Sequence, residues 1–209
     1  MNLHSYCSGP VHTNTYLLTN PASGKAVLFD APMDSTDWVM QTLHATGTSL
    51  THILLTHSHW DHTADAEEIR AKTGAALIVH PDDEYRLHNP NEYIGFPLNI
   101  TFAASPPDGN VHHGETRVVA GVAFEIRHTP GHTEGGVCFI AHDHKVVITG
   151  DTLFEGSIGR TDMHGGNIEQ LIQSINTQLL TLPDGYLCLP GHGNPTTIGD
   201  ERRDNPFLQ

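Results

Sequence analysis

Short apolar runs punctuated by turn residues dominate the pattern along this chain. Residues 2–8 and 14–20, the latter containing Tyr16-Leu17-Leu18, predict two strands joined through Gly9-Pro10. Ala26-Val27-Leu28-Phe29 predicts a third, ending at Asp30. Trp38, Val39 and Leu43 then recur at helical spacing, so a helix is expected over 36–45, with Ser35 as its cap and Gly47 as its stop. Ile53-Leu54-Leu55 reads as a buried strand, followed by a helix over 63–72 that ends at Gly74. A strand is expected over 76–80 and a short helix over 82–88.

Residues 89–113 break the pattern. They are rich in proline and asparagine, as long binding loops and lids often are. Beyond them the pattern turns to β, with strands expected over 117–119, 122–128, 136–141 and 145–149. A glycine-rich loop over 156–160 precedes a helix over 168–180 capped by Asn167, and a last strand over 185–189 ends at Pro190-Gly191-His192-Gly193. Two successive groups of strands with helices predict two packed sheets flanked by helices. No repeat or linker divides the 209 residues, so one domain over 1–209 is the economical reading.

Composition removes several function classes. The formal charge is -14 with only 10 Lys and Arg, which argues against a nucleic-acid footprint, since that needs a basic patch. No stretch approaches the roughly 20 apolar residues of a membrane span, and the N-terminus lacks the pattern of a signal peptide. Cys7, Cys138 and Cys188 form an odd set without close pairing, so a reducing cytoplasm is the expected location.

Candidate chemistry concentrates in Thr56-His57-Ser58-His59-Trp60-Asp61-His62. Imidazoles and a carboxylate crowded at a strand's carboxyl end suit divalent metals of the zinc, iron or manganese type. Three later turns each place one more metal-competent side chain just after a strand: His132 in Thr129-Pro130-Gly131-His132, Asp151 in Thr149-Gly150-Asp151, and His192 in Pro190-Gly191-His192. Each turn alone is a weak signal. Their order and residue types together are specific, and all of these motifs are expected to converge at one edge of the sandwich.

In these motifs the chain resembles the metallo-beta-lactamase superfamily, and within it the short hydroxyacylglutathione hydrolase (glyoxalase II)-like proteins. Gly150-Asp151-Thr152-Leu153-Phe154, the segment from Gly156 to Asp162, Thr196-Thr197-Ile198-Gly199 and Asn205-Pro206-Phe207 carry the narrower resemblance. It implies an α/β (α+β) fold, a four-layer αββα sandwich of two mixed sheets with a dinuclear centre. His57, His59 and His132 would hold the first of two divalent metals (zinc, with iron or manganese as alternatives), and Asp61, His62 and His192 the second. Asp151 would bridge, and Asp30 would orient a ligand histidine through its ring N–H.

Such a centre lowers the pKa of a shared water to give a hydroxide nucleophile, which Asp61, with its second carboxylate oxygen, would help to orient. A thiolate leaves without obligatory protonation, so a thioester asks least of this site. The implied substrate is a small-molecule thioester, S-(2-hydroxyacyl)glutathione or a relative. The alternatives are a mononuclear iron persulfide dioxygenase and a beta-lactam or lactone hydrolase of the same superfamily. Two departures stand out: Ala64-Asp65 replaces the usual small residues after His62-Thr63, and only 17 residues follow His192, where long glyoxalases II carry a basic helical extension.

Overall fold

The structure, a computed structural model, describes residues 1–94 and 100–209; residues 95–99, within the irregular segment, lie outside the described residues. The first sheet runs in the order β1 (Asn2–Ser8), β2 (Thr13–Asn20), β3 (Lys25–Phe29), β4 (Ser49–Leu54), β5 (Ala76–Val79), β6 (Gly109–Asn110). Its first two pairings are antiparallel and the rest parallel. The second sheet contains β7 (Thr116–Val119), β8 (Val122–His128), β9 (Val137–Ala141), β10 (Val146–Gly150), β13 (Leu187–Pro190) and β14 (Thr196–Thr197), with β10 parallel to β13. A small hairpin pairs β11 (Leu153–Phe154) with β12 (Ser157–Ile158), the second of which lies within the stretch expected to be a glycine-rich loop.

Side chains alternate across each strand, and this alternation builds three apolar layers. Leu18, Val27, Phe29, Leu54 and Ile78 face Phe124, Ile126, Phe139, Ile148 and Leu189 between the sheets. The Phe29 ring lies 5.1 Å from Phe124 and 5.3 Å from Phe139, centroid to centroid, and is 1% exposed. Burying such a side chain contributes about 1.5–3 kcal/mol. The neighbours of these residues point outward. Leu17, Leu28, Ile53 and Leu77 meet Val39 and Leu43 of α1 (Thr36–Thr46) and Ile69 of α3 (Ala66–Thr73). Cys138, Ile140, Val147 and Cys188 meet Leu171 of α5 (Ile168–Ser174) and Ile198 of α6 (Ile198–Asp204). The result is the four-layer αββα sandwich with two mixed sheets that the sequence implied. Among the described residues no helix is long and apolar enough to cross a membrane.

Several elements depart from the expected pattern for physical reasons. The helix expected over 63–72 is two, α2 (Trp60–Thr63) and α3, broken at Ala64-Asp65. Asp65 is engaged elsewhere: its Oδ2 accepts from Ser35 N, Thr36 N and Thr36 Oγ1, each at 2.9 Å. This carboxylate caps α1, and the Ser35 side chain makes no capping bond. The helix over 168–180 begins under its Asn167 cap but continues past Ser174 as a π-helical stretch, Ile175–Leu179. The helix expected over 82–88 is a 3-10 turn, Pro81–Asp83, leading into α4 (Glu84–His88). The α6 helix has little apolar periodicity. It is held instead by its Thr197 cap and by Arg202, which donates to the carbonyls of Leu180 and Leu182.

Candidate metal centre

All seven candidate ligands follow the C-terminal ends of strands. The loop after β4 presents His57 and His59 and runs into α2, which carries Asp61 and His62. His132 follows β8, Asp151 follows β10 and His192 follows β13. These strands come from both sheets and point the same way, so their loops meet at one edge. Three groups lie close enough to share an ion: His57 with His59 and His132, His57 with His62 and Asp151, and Asp61 with His62 and His192.

Hydrogen bonds set which nitrogen of each ring faces this centre. Asp30 is buried at the end of β3, and its Oδ2 accepts from Thr56 Oγ1 and pairs with His62 Nδ1, both at 2.8 Å. Its Oδ1 accepts from Thr56 N at 2.8 Å. The Thr56 oxygen, having donated its proton to Asp30, accepts from His57 Nδ1 at 3.1 Å. The carbonyl of Arg160 accepts from His132 Nδ1 at 2.7 Å, and that of His12 from His192 Nδ1 at 3.3 Å. Each of these bonds holds a proton on Nδ1, so four imidazoles turn Nε2, the nitrogen left for a metal, inward. His59 presents Nδ1 instead, 2.9 Å from His132 Nε2.

The inward atoms fit a cationic group. His57 Nε2, His62 Nε2 and Asp151 Oδ1 are buried without a hydrogen-bond partner, an arrangement that protein interiors avoid unless something else satisfies it. Asp151 Oδ1 lies 3.3 Å from His62 Nε2, and its Oδ2 lies 3.5 Å from both His132 Nε2 and His192 Nε2. Asp61 Oδ2 lies 3.4 Å from His62 Nε2 and 3.2 Å from His192 Nε2, and accepts from Thr13 Oγ1 at 2.8 Å.

Burial holds the His57 and His59 imidazoles well below the ordinary range, so they are neutral and able to ligate. Burial also opposes charge on His62, but Asp151, Asp61 and Asp30 outweigh it and hold its pKa well above the ordinary value. Burial would likewise raise Asp61 and Asp151, yet the His62 charge and the His192 hydrogen bond dominate: Asp61 falls to about 2 and Asp151 well below the usual range. Two ionised buried carboxylates among imidazoles call for positive charge, which divalent ions supply with the right donor chemistry.

Comparison with known proteins gives this arrangement its lineage. Residues 8–192 match the profile of the metallo-beta-lactamase superfamily. The chain belongs to that superfamily. Membership places it among metal-dependent hydrolases. It is 39% identical over 179 residues to the hydroxyacylglutathione hydrolase GloC of Haemophilus influenzae, covering 85% of this chain and 84% of that one. Among solved structures, the BLEG-1 B3 metallo-beta-lactamase superposes with a TM-score of 0.90 at 32% identity, covering 100% of both chains. TTHA1623 in a di-iron-bound form superposes with a TM-score of 0.87 at 31% identity, covering 98% of this chain and 100% of that one.

Within this superfamily fold, the close packing shows where glycine is required. A Cβ at Gly191 would collide with Asp151 Oδ1 and stand 2.6 Å from His62 Cε1. Residues that motif reading missed also hold the site. Thr13 bonds Asp61 and pairs through its backbone with His192. Asp83, buried beneath the His57–His59 loop, accepts from Ser58 N at 2.8 Å. Neither residue stands in a motif, so only its partner reveals its role. Arg160 and Asp162 brace their own loop through bonds of 2.8 and 2.9 Å.

A small cavity of about 120 Å³, lined in part by His59, Asp61, His132, Asp151 and His192, opens at the centre. Beside it lies a cavity of about 500 Å³ lined by Arg86, Glu92, Tyr93, Arg160, Asp162 and His164, among others. His59, Arg160 and Met163 line both. Trp60, on the rim of the small cavity, stacks on Phe102 of the irregular segment at 5.5 Å.

A separate group, His80, Asp82 and His128, also brings three possible ligands together. The His80 and His128 rings lie face to face, 4.1 Å apart and 11° from parallel. In-plane lone pairs on stacked rings run side by side and do not converge on one ion. The arrangement therefore reads as packing between β5 and β8.

Proposed function

We propose that this protein hydrolyses a thioester, S-(2-hydroxyacyl)glutathione such as S-lactoylglutathione or a related small thioester, using two divalent ions. His57, His59 and His132 would hold the first and Asp61, His62 and His192 the second, with Asp151 between them. The observation that carries the dinuclear reading is Asp151 itself, whose two oxygens face different imidazoles: Oδ1 faces His62, and Oδ2 faces His132 and His192. Bound there, such ions supply Lewis acidity and an activated water.

The chain's own groups do the rest. Asp30 keeps the His62 proton on Nδ1 and its Nε2 free. The Arg160 carbonyl does the same for His132. Thr13 anchors Asp61 Oδ2, the oxygen that faces His62 and His192, and the second carboxylate oxygen would orient the attacking water. The small cavity admits the acyl carbonyl, and the larger one beside it has room for the thiol carrier. A thiolate has a conjugate-acid pKa of about 8.5, so scission needs no proton donor at the leaving atom, whereas an amine does. Similarity to GloC supports the same substrate class. The reading treats residues 1–209 as one domain, because each ligand set draws on both sheets. It assigns the chain to the cytoplasm, where its three free cysteines would stay reduced.

The BLEG-1 likeness favours a second reading, beta-lactam hydrolysis. Both are tested on one metal-loaded preparation by assaying S-lactoylglutathione and a beta-lactam side by side. Thioester turnover far above lactam turnover is expected. The reverse order would overturn the proposal, and a single iron with oxygen consumption on a persulfide would replace it with the dioxygenase.

A further inference from the structure

A carboxylate outside every ligand motif ties together the two loops that present His57, His59 and His132. Asp83 is 0% exposed and ends the 3-10 turn Pro81–Asp83. Its Oδ2 accepts from Ser58 N at 2.8 Å and from Thr133 Oγ1 at 3.0 Å. Its Oδ1 accepts from Gly135 N at 2.7 Å and from Arg86 Nη1 at 3.0 Å. Its backbone carbonyl accepts from Ser58 Oγ at 2.7 Å.

Ser58 stands between His57 and His59, and Thr133 follows His132. One side chain therefore bonds a residue adjacent to each of the three histidines, although their loops leave different sheets. The fit is close: a Cβ at Gly135 would stand 2.6 Å from Asp83 N. An ionised carboxylate has about four lone-pair sites, and here four donors use them. Arg86 supplies the countercharge and also bonds Glu134 at 2.7 Å and the His164 carbonyl at 2.9 Å. The buried charge is thus paired and satisfied.

We propose that Asp83 is a positioning residue: it sets the separation of the Ser58 loop and the Thr133 turn, and with it the spacing at which His57, His59 and His132 receive the first metal. The proposal rests on the metal reading above. Asp83→Asn keeps the shape but offers one acceptor oxygen to four donors, and its amide N–H groups oppose the others. The loops should then part. Asp83 makes no bond to Asp61, His62 or His192, so the second set should be left in place.

The test titrates zinc against a competing chelator on the full chain, resolving two binding steps, with the Tm of the metal-free protein measured alongside. His132→Ala identifies the step that belongs to the first site. Glu201→Gln is the control for simple loss of a buried carboxylate. Glu201 accepts from Thr196 Oγ1 at 2.6 Å, Asn205 Nδ2 at 2.7 Å and Gly156 N at 3.0 Å, none of them adjacent to a candidate ligand. Asp83→Asn should weaken the first step by roughly 10–100-fold, the usual cost of losing a group that orients a ligand, and leave the second unchanged. Glu201→Gln should lower the Tm with both steps intact. If Asp83→Asn does not fold, Thr133→Val removes one donor, keeps the carboxylate, and should weaken the same step. Wild-type affinity at both steps, or equal weakening at both, would overturn the proposal. A wild-type protein that takes up no zinc would overturn it together with the metal reading, and the unmutated titration separates that outcome from the others.

Discussion

Asp30→Asn is the substitution whose consequence can be worked furthest. Asp30 has φ 58°, a left-handed conformation that asparagine also tolerates, so the backbone should hold. The aspartate makes three contacts at 2.8 Å, with Thr56 N, Thr56 Oγ1 and His62 Nδ1. Asparagine keeps one acceptor and presents N–H groups on the other side. If its oxygen stays on Thr56 N, an N–H faces His62 Nδ1, and the imidazole can no longer keep its proton there. The proton moves to Nε2, the nitrogen 3.4 Å from Asp61 and 3.3 Å from Asp151, which is then unable to ligate.

A hydrogen bond to a charged group contributes about 1.5–3 kcal/mol. At about 1.4 kcal/mol per factor of ten, that predicts a loss of roughly 10–100-fold in affinity for the second metal. The first site should suffer less, because only the Thr56–His57 bond connects it to Asp30. Chelator competition reads the two affinities, and the ¹⁵N shifts of His62 read the tautomer. Second-site affinity within threefold of wild type, with the Nδ1–H tautomer retained, would refute the reasoning.

His192→Ala should empty the second site and leave the first largely occupied, whereas Asp151→Ala should weaken both; equal metal loss in the two variants would contradict a bridging Asp151. The larger cavity's arginines are already committed, Arg86 to Asp83 and Glu134 and Arg160 to Asp162. S-Lactoylglutathione should therefore be preferred only modestly over the same acyl group on a truncated thiol, and a kcat/KM ratio of a thousandfold, about 4 kcal/mol, would refute this. Burial, with help from the neighbouring His128, lowers the His80 pKa to about 4, so the folded protein binds fewer protons than the unfolded chain between about pH 4 and 6.5. Stability from this group is complete above pH 6.5 and is lost as pH falls toward 4, by at most about 1.4 kcal/mol per pH unit; the Tm difference between wild type and His80→Asn should shrink over that window.

The convergence of the seven candidate ligands was legible because each lies in the short loop, turn or helix start that follows an apolar run, and all of that information is local. Asp83 was not legible. An Asp-Asp pair opening a helix looks like ordinary capping composition, and its partners lie 25 residues before it at Ser58 and 50 residues after it at Thr133. Ser35 illustrates the same limit. Local rules nominate its hydroxyl as the cap, but a charged acceptor 30 residues away, Asp65, takes the same N–H groups and breaks the helix that follows His62. The division of the strands into two sheets was legible because the central strands of each are packed on both faces and read as apolar runs, while β1 and β7 are largely exposed at the edges.

The seam between β2 and the end of β13 has a consequence for how the protein breathes. Tyr16 Oη donates to the Pro190 carbonyl at 2.7 Å and Asn14 Nδ2 to the same carbonyl at 3.0 Å, beside the Thr13–His192 pairing. Each candidate ligand set likewise takes members from both sides, so a bound ion fastens one sheet to the other. Any opening of the sandwich at this edge must release metal first. Amides along β2 and β13 should therefore exchange with solvent at rates that depend on free metal concentration, while those of α1, which packs on the outer face of the first sheet, should not. Ion occupancy would then govern how the two halves move together as well as what chemistry they perform.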